Sequence, residues 1–272
     1  MKFMAACVQV NSGNNMAENI KAAVGLIENA VGQGADFIAF PENVAFMSKA
    51  PDELFSNAYF EVEHPALFAF KEAAKKYKKW LLIGSLAIKL KDNAKLANRC
   101  FLINAEGEVV TFYDKIHLFD SSVVGGETHK ESDRFTYGNK AVCAEMPWGK
   151  LGLAICYDVR FPHLFRYLAK NGAGIITVPA AFTQVTGQAH WHVLLRARAI
   201  ETGCYIIAPA QTGTHPSGRK TFGHSLIINP WGEVIADGGT DVWVTLAEID
   251  MEQVAKIREQ MPSLEHDKEF SI

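Results

Sequence analysis

The run Leu151-Gly-Leu-Ala-Ile-Cys-Tyr-Asp-Val-Arg-Phe-Pro162 changes character in its middle. Leu151 to Ile155 is apolar and long enough for a buried strand. Cys156 closes that run, and Tyr157, Asp158 and Arg160 follow at once. Pro162 then opens a helical pattern carrying Leu164, Phe165, Tyr167 and Leu168, and proline at a first helical position is a start signal. Strand, sharp turn and helix together hold a side chain up out of a sheet edge. A thiol placed there lies near the positive end of a helix, which favours thiolate. The competing reading is a buried cysteine acting as one more small hydrophobe.

Moving away from Cys156, two other reactive groups occur in similar settings. Asp36-Phe-Ile-Ala-Phe40 reads as a short strand running into Pro41-Glu42-Asn43, which aims a carboxylate at the strand's carboxyl edge, where open sheets commonly build sites. By itself Glu42 also reads as an ordinary loop glutamate. Lys115, in Tyr113-Asp-Lys-Ile-His-Leu-Phe119, ends another apolar strand, with a snorkelling lysine as the alternative.

The remaining pattern alternates strands and helices. Strands are expected at Phe3–Val10, Trp80–Leu86, Ala141–Met146, Lys150–Ile155, Gly174–Pro179, Cys204–Pro209 and Val242–Ile249. Helices are expected at Met16–Gly32, Pro65–Lys79, Gln188–Thr202 and Met251–Gln260. Hairpins are expected around Ala105-Glu-Gly107 and around Pro230-Trp-Gly232, the second with strands Phe222–Asn229 and Glu233–Asp237 on either side. Residues 120–139 show no period and read as a functional loop. No linker divides the series, so the expectation is one α/β domain over 1–272 with mixed, layered sheets. The tail 261–272 lacks a core pattern and is expected to pack at an oligomer interface.

Composition narrows the function. The chain has 272 residues, 49% hydrophobic and 21% charged, as in a globular protein with a full core. A net charge of −3 gives no reason to expect nucleic acid or an anionic membrane as partner. No apolar run reaches transmembrane length, and the N-terminus reads as a strand, not a signal peptide. The five cysteines are odd in number and widely spaced, without a Cys-x-x-Cys pair, which fits free thiols in a reducing, cytoplasmic setting. His190 and His192, two apart on a helix, face different ways, so no metal is expected; no dinucleotide or P-loop pattern implies a cofactor.

Taken together, Phe40-Pro-Glu-Asn43, the frame around Lys115 and the frame around Cys156 match in order and context the Glu-Lys-Cys signature of the nitrilase (carbon-nitrogen hydrolase) superfamily. Further matches are Pro179-Ala-Ala-Phe182, Gly187-Gln-Ala-His-Trp191, Leu195-Arg-Ala-Arg-Ala-Ile-Glu201, Gly223-His-Ser225 and Asn229-Pro-Trp-Gly232, so the resemblance covers nearly the whole chain. Within the superfamily the chain most resembles amidases acting on deaminated glutathione, with omega-amidase, acting on alpha-ketoglutaramate, as the close neighbour.

The resemblance implies an α-β-β-α sandwich and a homodimer or larger homo-oligomer. It implies a small-molecule amide substrate bearing a carboxylate, cleaved to acid plus ammonia through a thioester on Cys156. Glu42 is then the general base and Lys115 the oxyanion stabiliser, and a second glutamate from the following loop is expected at Glu131, with Glu127 as competitor. Arg160 is the candidate for binding the substrate carboxylate, with a structural salt bridge as its alternative. Phe182, Thr183 and Tyr157 are candidates for lining the pocket. Nitrile or carbamoyl substrates, or a non-catalytic partner-binding protein on the same fold, are the other readings.

Overall fold

The computed structural model describes residues 1–122 and 128–271. Two sheets stack face to face. The first runs in space as Val244–Asp250, Lys2–Val8, Phe37–Ala39, Trp80–Leu90, Asn93–Ile103 and Val109–Asp114, with Phe135–Thr136 joining Asn93–Ile103. The second runs as Val234–Asp237, Leu226–Ile228, Tyr205–Ala208, Ile175–Thr177, Gly149–Leu153 and Val142–Met146. Each has three parallel strands at its centre and antiparallel strands at its flanks.

Period-two alternation explains the layering. On Lys2–Val8, Phe3, Ala5 and Cys7 share a core with Leu151, Ile175, Tyr205 and Leu226 of the second sheet. Ala6 and Val8 point the other way, onto Ala23, Ile27 and Ala30 of the helix Met16–Gly32 and Phe70, Ala73 and Ala74 of the helix Pro65–Tyr77. The second sheet is covered on its outer side by Leu164, Phe165 and Leu168 of Pro162–Lys170 and by Trp191, Leu195 and Ala199 of Gln184–Thr202. Helix, sheet, sheet, helix is the expected sandwich. Local signals set the helix starts: Asn15 Oδ1 accepts from the N–H groups of Ala17 and Glu18, and proline opens both Pro65–Tyr77 and Pro162–Lys170.

Two expectations shift. The helix expected from Gln188 begins at Gln184, because tertiary packing overrides the weak propensity of Val185, Thr186 and Gly187. The strand expected over Phe222–Asn229 divides: Lys220–Phe222 pairs with Thr212–Thr214, and only Leu226–Ile228 joins the second sheet. The tail, besides its expected place at an oligomer interface, makes contacts within its own chain. Arg166 and Lys170 both bond Asp267, Arg166 Nη2 donates to Ser263 O at 2.8 Å, and Leu264 packs against the core.

Two glycines let the site-bearing segments approach the first sheet. A Cβ on Gly84 would lie 2.1 Å from Phe40 O, just ahead of Glu42, and one on Gly138 would lie 2.1 Å from Asp114 O, beside Lys115. Gly84→Ala should therefore destabilise the protein by about 2–3 kcal/mol and displace Glu42. The check is a lowered urea midpoint accompanied by lost activity; an unchanged midpoint would show that the Phe40–Pro41 backbone yields freely.

Candidate active site

Glu42, Lys115 and Cys156 leave three different strands and meet at the carboxyl edges of the two sheets. Glu42 follows Phe37–Ala39 and is 3% exposed. Its Oε1 accepts from Lys115 Nζ at 2.9 Å and Asn98 Nδ2 at 2.9 Å, and its Oε2 accepts from the Ala181 N–H at 2.9 Å. The backbone around it is also held: Ser85 Oγ accepts from Asn43 N, and Gln211 Nε2 donates to Glu42 O. Lys115, 2% exposed, donates further to Glu131 Oε1 and Oε2 at 3.0 and 2.8 Å. Glu131 in turn accepts from Asn98 Nδ2 and from the Phe119 N–H. The competitor Glu127 lies outside the described residues.

Cys156 stands on a strained backbone, with φ +47°, a region that non-glycine residues seldom occupy. Its N–H donates to Pro179 O at 2.9 Å. The following turn, Cys156–Arg160, is pinned by Asp158, which is fully buried. Asp158 Oδ2 accepts from Ile155 N and Tyr113 Oη, and Oδ1 accepts from the His117 N–H and contacts His117 Nδ1 at 2.6 Å. One buried carboxylate thus fastens the turn of the second sheet to the Lys115 segment of the first.

The electrostatics differ from a helix-activated thiolate. The helix Pro162–Lys170 begins six residues beyond Cys156, after a short 3₁₀ turn. Burial and the adjacent Glu42 charge push the Cys156 thiol well above its ordinary value, against the opposing pull of Lys115. Both effects favour the protonated thiol beside the Glu42 carboxylate, with which it lines one cavity. Burial alone would raise Glu42, but Lys115's charge and hydrogen bond, with the Ala181 N–H, hold it below the ordinary carboxylate range. Burial likewise opposes the charge on Lys115, and Glu131 and Glu42 together raise it above an ordinary lysine.

Two cavities meet at Cys156. The larger, of about 220 Å³, is lined by Glu42, Lys115, Glu131 and Cys156 and rimmed by Lys49, Arg134 and Arg219. The smaller is lined by Tyr157, Arg160, Phe182, Thr183 and Arg219. All four pocket residues read from sequence thus lie beside Cys156. Arg160 forms no ion pair among the described residues; its Nη2 sits 3.3 Å from His190 Nδ1. Sequence reasoning missed Asn98, Asp158 and Arg219. Asn98 carried a signal, a polar residue inside an apolar strand, and it is buried with no partner for Oδ1 among the described residues.

The carbon-nitrogen hydrolase family model matches residues 4–259. The chain belongs to the carbon-nitrogen hydrolase family. It is 42% identical to a deaminated glutathione amidase of Synechocystis over 267 residues, 97% of either chain. It is 39% identical to the deaminated glutathione amidase of Mus musculus, covering 98% of this chain and 83% of that one. The C. elegans NitFhit structure superposes with a TM-score of 0.90 at 36% identity, covering 98% of this chain and 65% of that longer one. Saccharomyces cerevisiae Nit3, of the nitrilase superfamily, superposes with a TM-score of 0.87 at 28% identity, covering 96% and 94%. The protein is an amidase of this family, hydrolysing non-peptide C–N bonds.

Outside the site, His192, His224 and Asp237 bring potential ligand atoms within 4.8 Å of one another. His192 thus pairs with His224 and not with His190, and Asp237 already accepts from or contacts both rings.

The signs of the shifts generate a test. Glu42's lowered value contributes stability that is present above the ordinary carboxylate range and lost as pH falls through the native value. Lys115's raised value contributes stability present below the ordinary lysine range and lost only as pH climbs past it. Both are in place at pH 7. Lys115→Met leaves two buried carboxylates without a cation and should cost about 3–5 kcal/mol at pH 7. The variant's urea midpoint should rise between pH 7 and pH 5 as a carboxylate takes up a proton, while the parent's does not. A variant that loses midpoint on acidification would refute the ion-pair account.

Proposed function

We propose that the protein hydrolyses the γ-linked amide of a small carboxylate-bearing substrate of the deaminated glutathione type, through a thioester on Cys156. The observation that carries the chemistry is a buried cysteine lining one cavity with Glu42 and Lys115, the carboxylate and the ammonium being hydrogen-bonded to each other at 2.9 Å. The substrate class rests on the names of the relatives, two of them matching over nearly the full chain.

Glu42 takes the Cys156 proton as Sγ attacks the amide carbonyl carbon. The oxyanion forms beside Lys115 and the N–H of Tyr157, which stands at the start of a turn where the first N–H groups have no intrahelical acceptor. Lys115 donates to Glu42 and to both oxygens of Glu131, so one N–H can move to the oxyanion while each carboxylate keeps a bond. Protonated Glu42 then passes its proton to the amide nitrogen, the C–N bond breaks, and the acyl group remains on sulfur. Water, deprotonated by Glu42, attacks the thioester; the C–S bond breaks and the proton returns to Cys156. Glu131 and Asn98 hold Lys115 and Glu42 in place and touch no reacting atom in this scheme. Losing an oxyanion donor such as Lys115 costs about 3–4 kcal/mol of transition-state stabilisation.

Both amides of deaminated glutathione are substituted. Its hydrolysis at the γ-linkage therefore releases a dipeptide amine, cysteinylglycine, and not the ammonia expected from the family resemblance, which a primary amide such as alpha-ketoglutaramate releases. The two products separate the candidates. Faster release of cysteinylglycine from deaminated glutathione is the expected result, abolished in Cys156→Ala with the fold retained. Faster ammonia release from alpha-ketoglutaramate would move the assignment to omega-amidase, and full activity in Cys156→Ala would remove the mechanism.

The same reading includes a cytoplasmic homo-oligomer that pairs through its outer helices. Tyr167 of Pro162–Lys170, Val193 and Ile200 of Gln184–Thr202, and the nearby Trp231 are exposed apolar side chains. Val193→Asp is expected to shift the sedimenting species toward the 30.0 kDa single chain. An assembly unaffected by that change, or a parent already sedimenting as one chain, would sink this part.

A further inference from the structure

The charges that surround Cys156 present a difficulty for an anionic substrate. Glu42 and Glu131 carry two negative charges against the single positive charge of Lys115. With the cysteine a neutral thiol, that cluster is net negative and repels a carboxylate. A second cation is needed close to the sulfur. Arg219 occupies that place. It projects from the hairpin formed by Thr212–Thr214 and Lys220–Phe222, and it lines both cavities where they meet at Cys156.

Its hydrogen bonding is incomplete. Nη2 donates to the Ala181 carbonyl, on the same residue whose N–H holds Glu42. Nε is buried and has no partner among the described residues, and no carboxylate there lies in ion-pair range of the guanidinium. A buried donor on a charged group is costly to leave unpaired. Arg99 shows the arrangement that satisfies one: its Nε and Nη2 take Asp114 side-on at 2.7 and 2.8 Å. The sequence candidate, Arg160, lies in the smaller cavity with Nη2 turned to the exposed ring of His190.

From the unpaired donor, the cavity junction and the local charge deficit, we infer that Arg219 binds the carboxylate of the substrate's acyl portion and sets the preference for anionic amides. This rests on the proposed anionic substrate class, and it assigns the recognition of that charge to the hairpin. The side chain neither exchanges a proton nor touches the scissile bond. A bound carboxylate pairs with the guanidinium at the cavity junction and leaves the net charge about Cys156 unfavourable to a second anion.

The test uses two alkylating agents of nearly equal size, one anionic and one neutral. Rates of Cys156 carboxymethylation by iodoacetate and carbamidomethylation by iodoacetamide are measured by peptide mass spectrometry in the whole protein. Arg219→Gln should lower the iodoacetate-to-iodoacetamide rate ratio about tenfold, and Arg219→Lys should recover a large part of it. With deaminated glutathione, Arg219→Gln should raise KM about tenfold with a smaller change in kcat. A change that only props the Ala181 peptide or alters the thiol slows both reagents alike, so an unchanged ratio in folded Arg219→Gln and Arg219→Lys proteins would overturn the assignment. The ratio needs no turnover. A fall in the ratio without hydrolysis of deaminated glutathione would keep the carboxylate site and discard that substrate. Hydrolysis with an unchanged ratio would keep the substrate and discard the role of Arg219.

Discussion

Lys115 carries its charge inside the protein, and that single buried ammonium organises the carboxylates around it. Glu42 and Glu131 come from segments 89 residues apart and meet on that one cation, whose charge and hydrogen bond hold Glu42 ionised against its burial. A buried charge pair is weak evidence for stability in itself, since desolvation offsets much of the attraction. Its value here is functional. The lysine keeps Glu42 anionic against burial, and in the proposed reaction an anionic Glu42 takes the proton of the Cys156 thiol.

The sandwich supplies the geometry that this arrangement requires. The two sheets present their parallel strands in the same sense, so that Glu42 at the end of Phe37–Ala39 and Cys156 beyond Gly149–Leu153 arrive at one edge. Asp158 then ties the cysteine turn to Tyr113 and His117, on either side of Lys115. The relative placement of nucleophile and cation is therefore fixed by hydrogen bonds buried between the sheets, and the positive φ of Cys156 is held by the same contacts. Catalysis by positioned groups depends on such support, because small displacements at the reacting atoms are costly.

Much of this was legible before any coordinates. Period-two and helical patterns marked nearly every central strand and the helices Met16–Gly32 and Met251–Gln260 at their observed bounds. Glu42, Lys115 and Cys156 each announced themselves by following an apolar run. The electrostatics of the cysteine were not legible: a helix start beyond Cys156 suggests thiolate, whereas the burial and the Glu42 charge that push the thiol up are long-range effects. The pattern over Phe222–Asn229 reads as one strand for a similar reason: Phe222 pairs with Thr212 and only Leu226–Ile228 joins the second sheet, a choice that packing makes.

By itself the sequence determined which residue types end which strands, where helices start, and the family to which those motifs belong. Each of these depends on neighbours within a few positions, where side-chain period, proline and capping residues act directly. The tertiary structure alone decided that Asn98 joins the two glutamates, that Asp158 locks the cysteine turn, and that Arg219 stands at the junction of two cavities with a donor unpaired. Those facts depend on the register and stacking of strands far apart in the chain, and charge, burial and hydrogen-bond satisfaction are properties of that stacking and of no single segment.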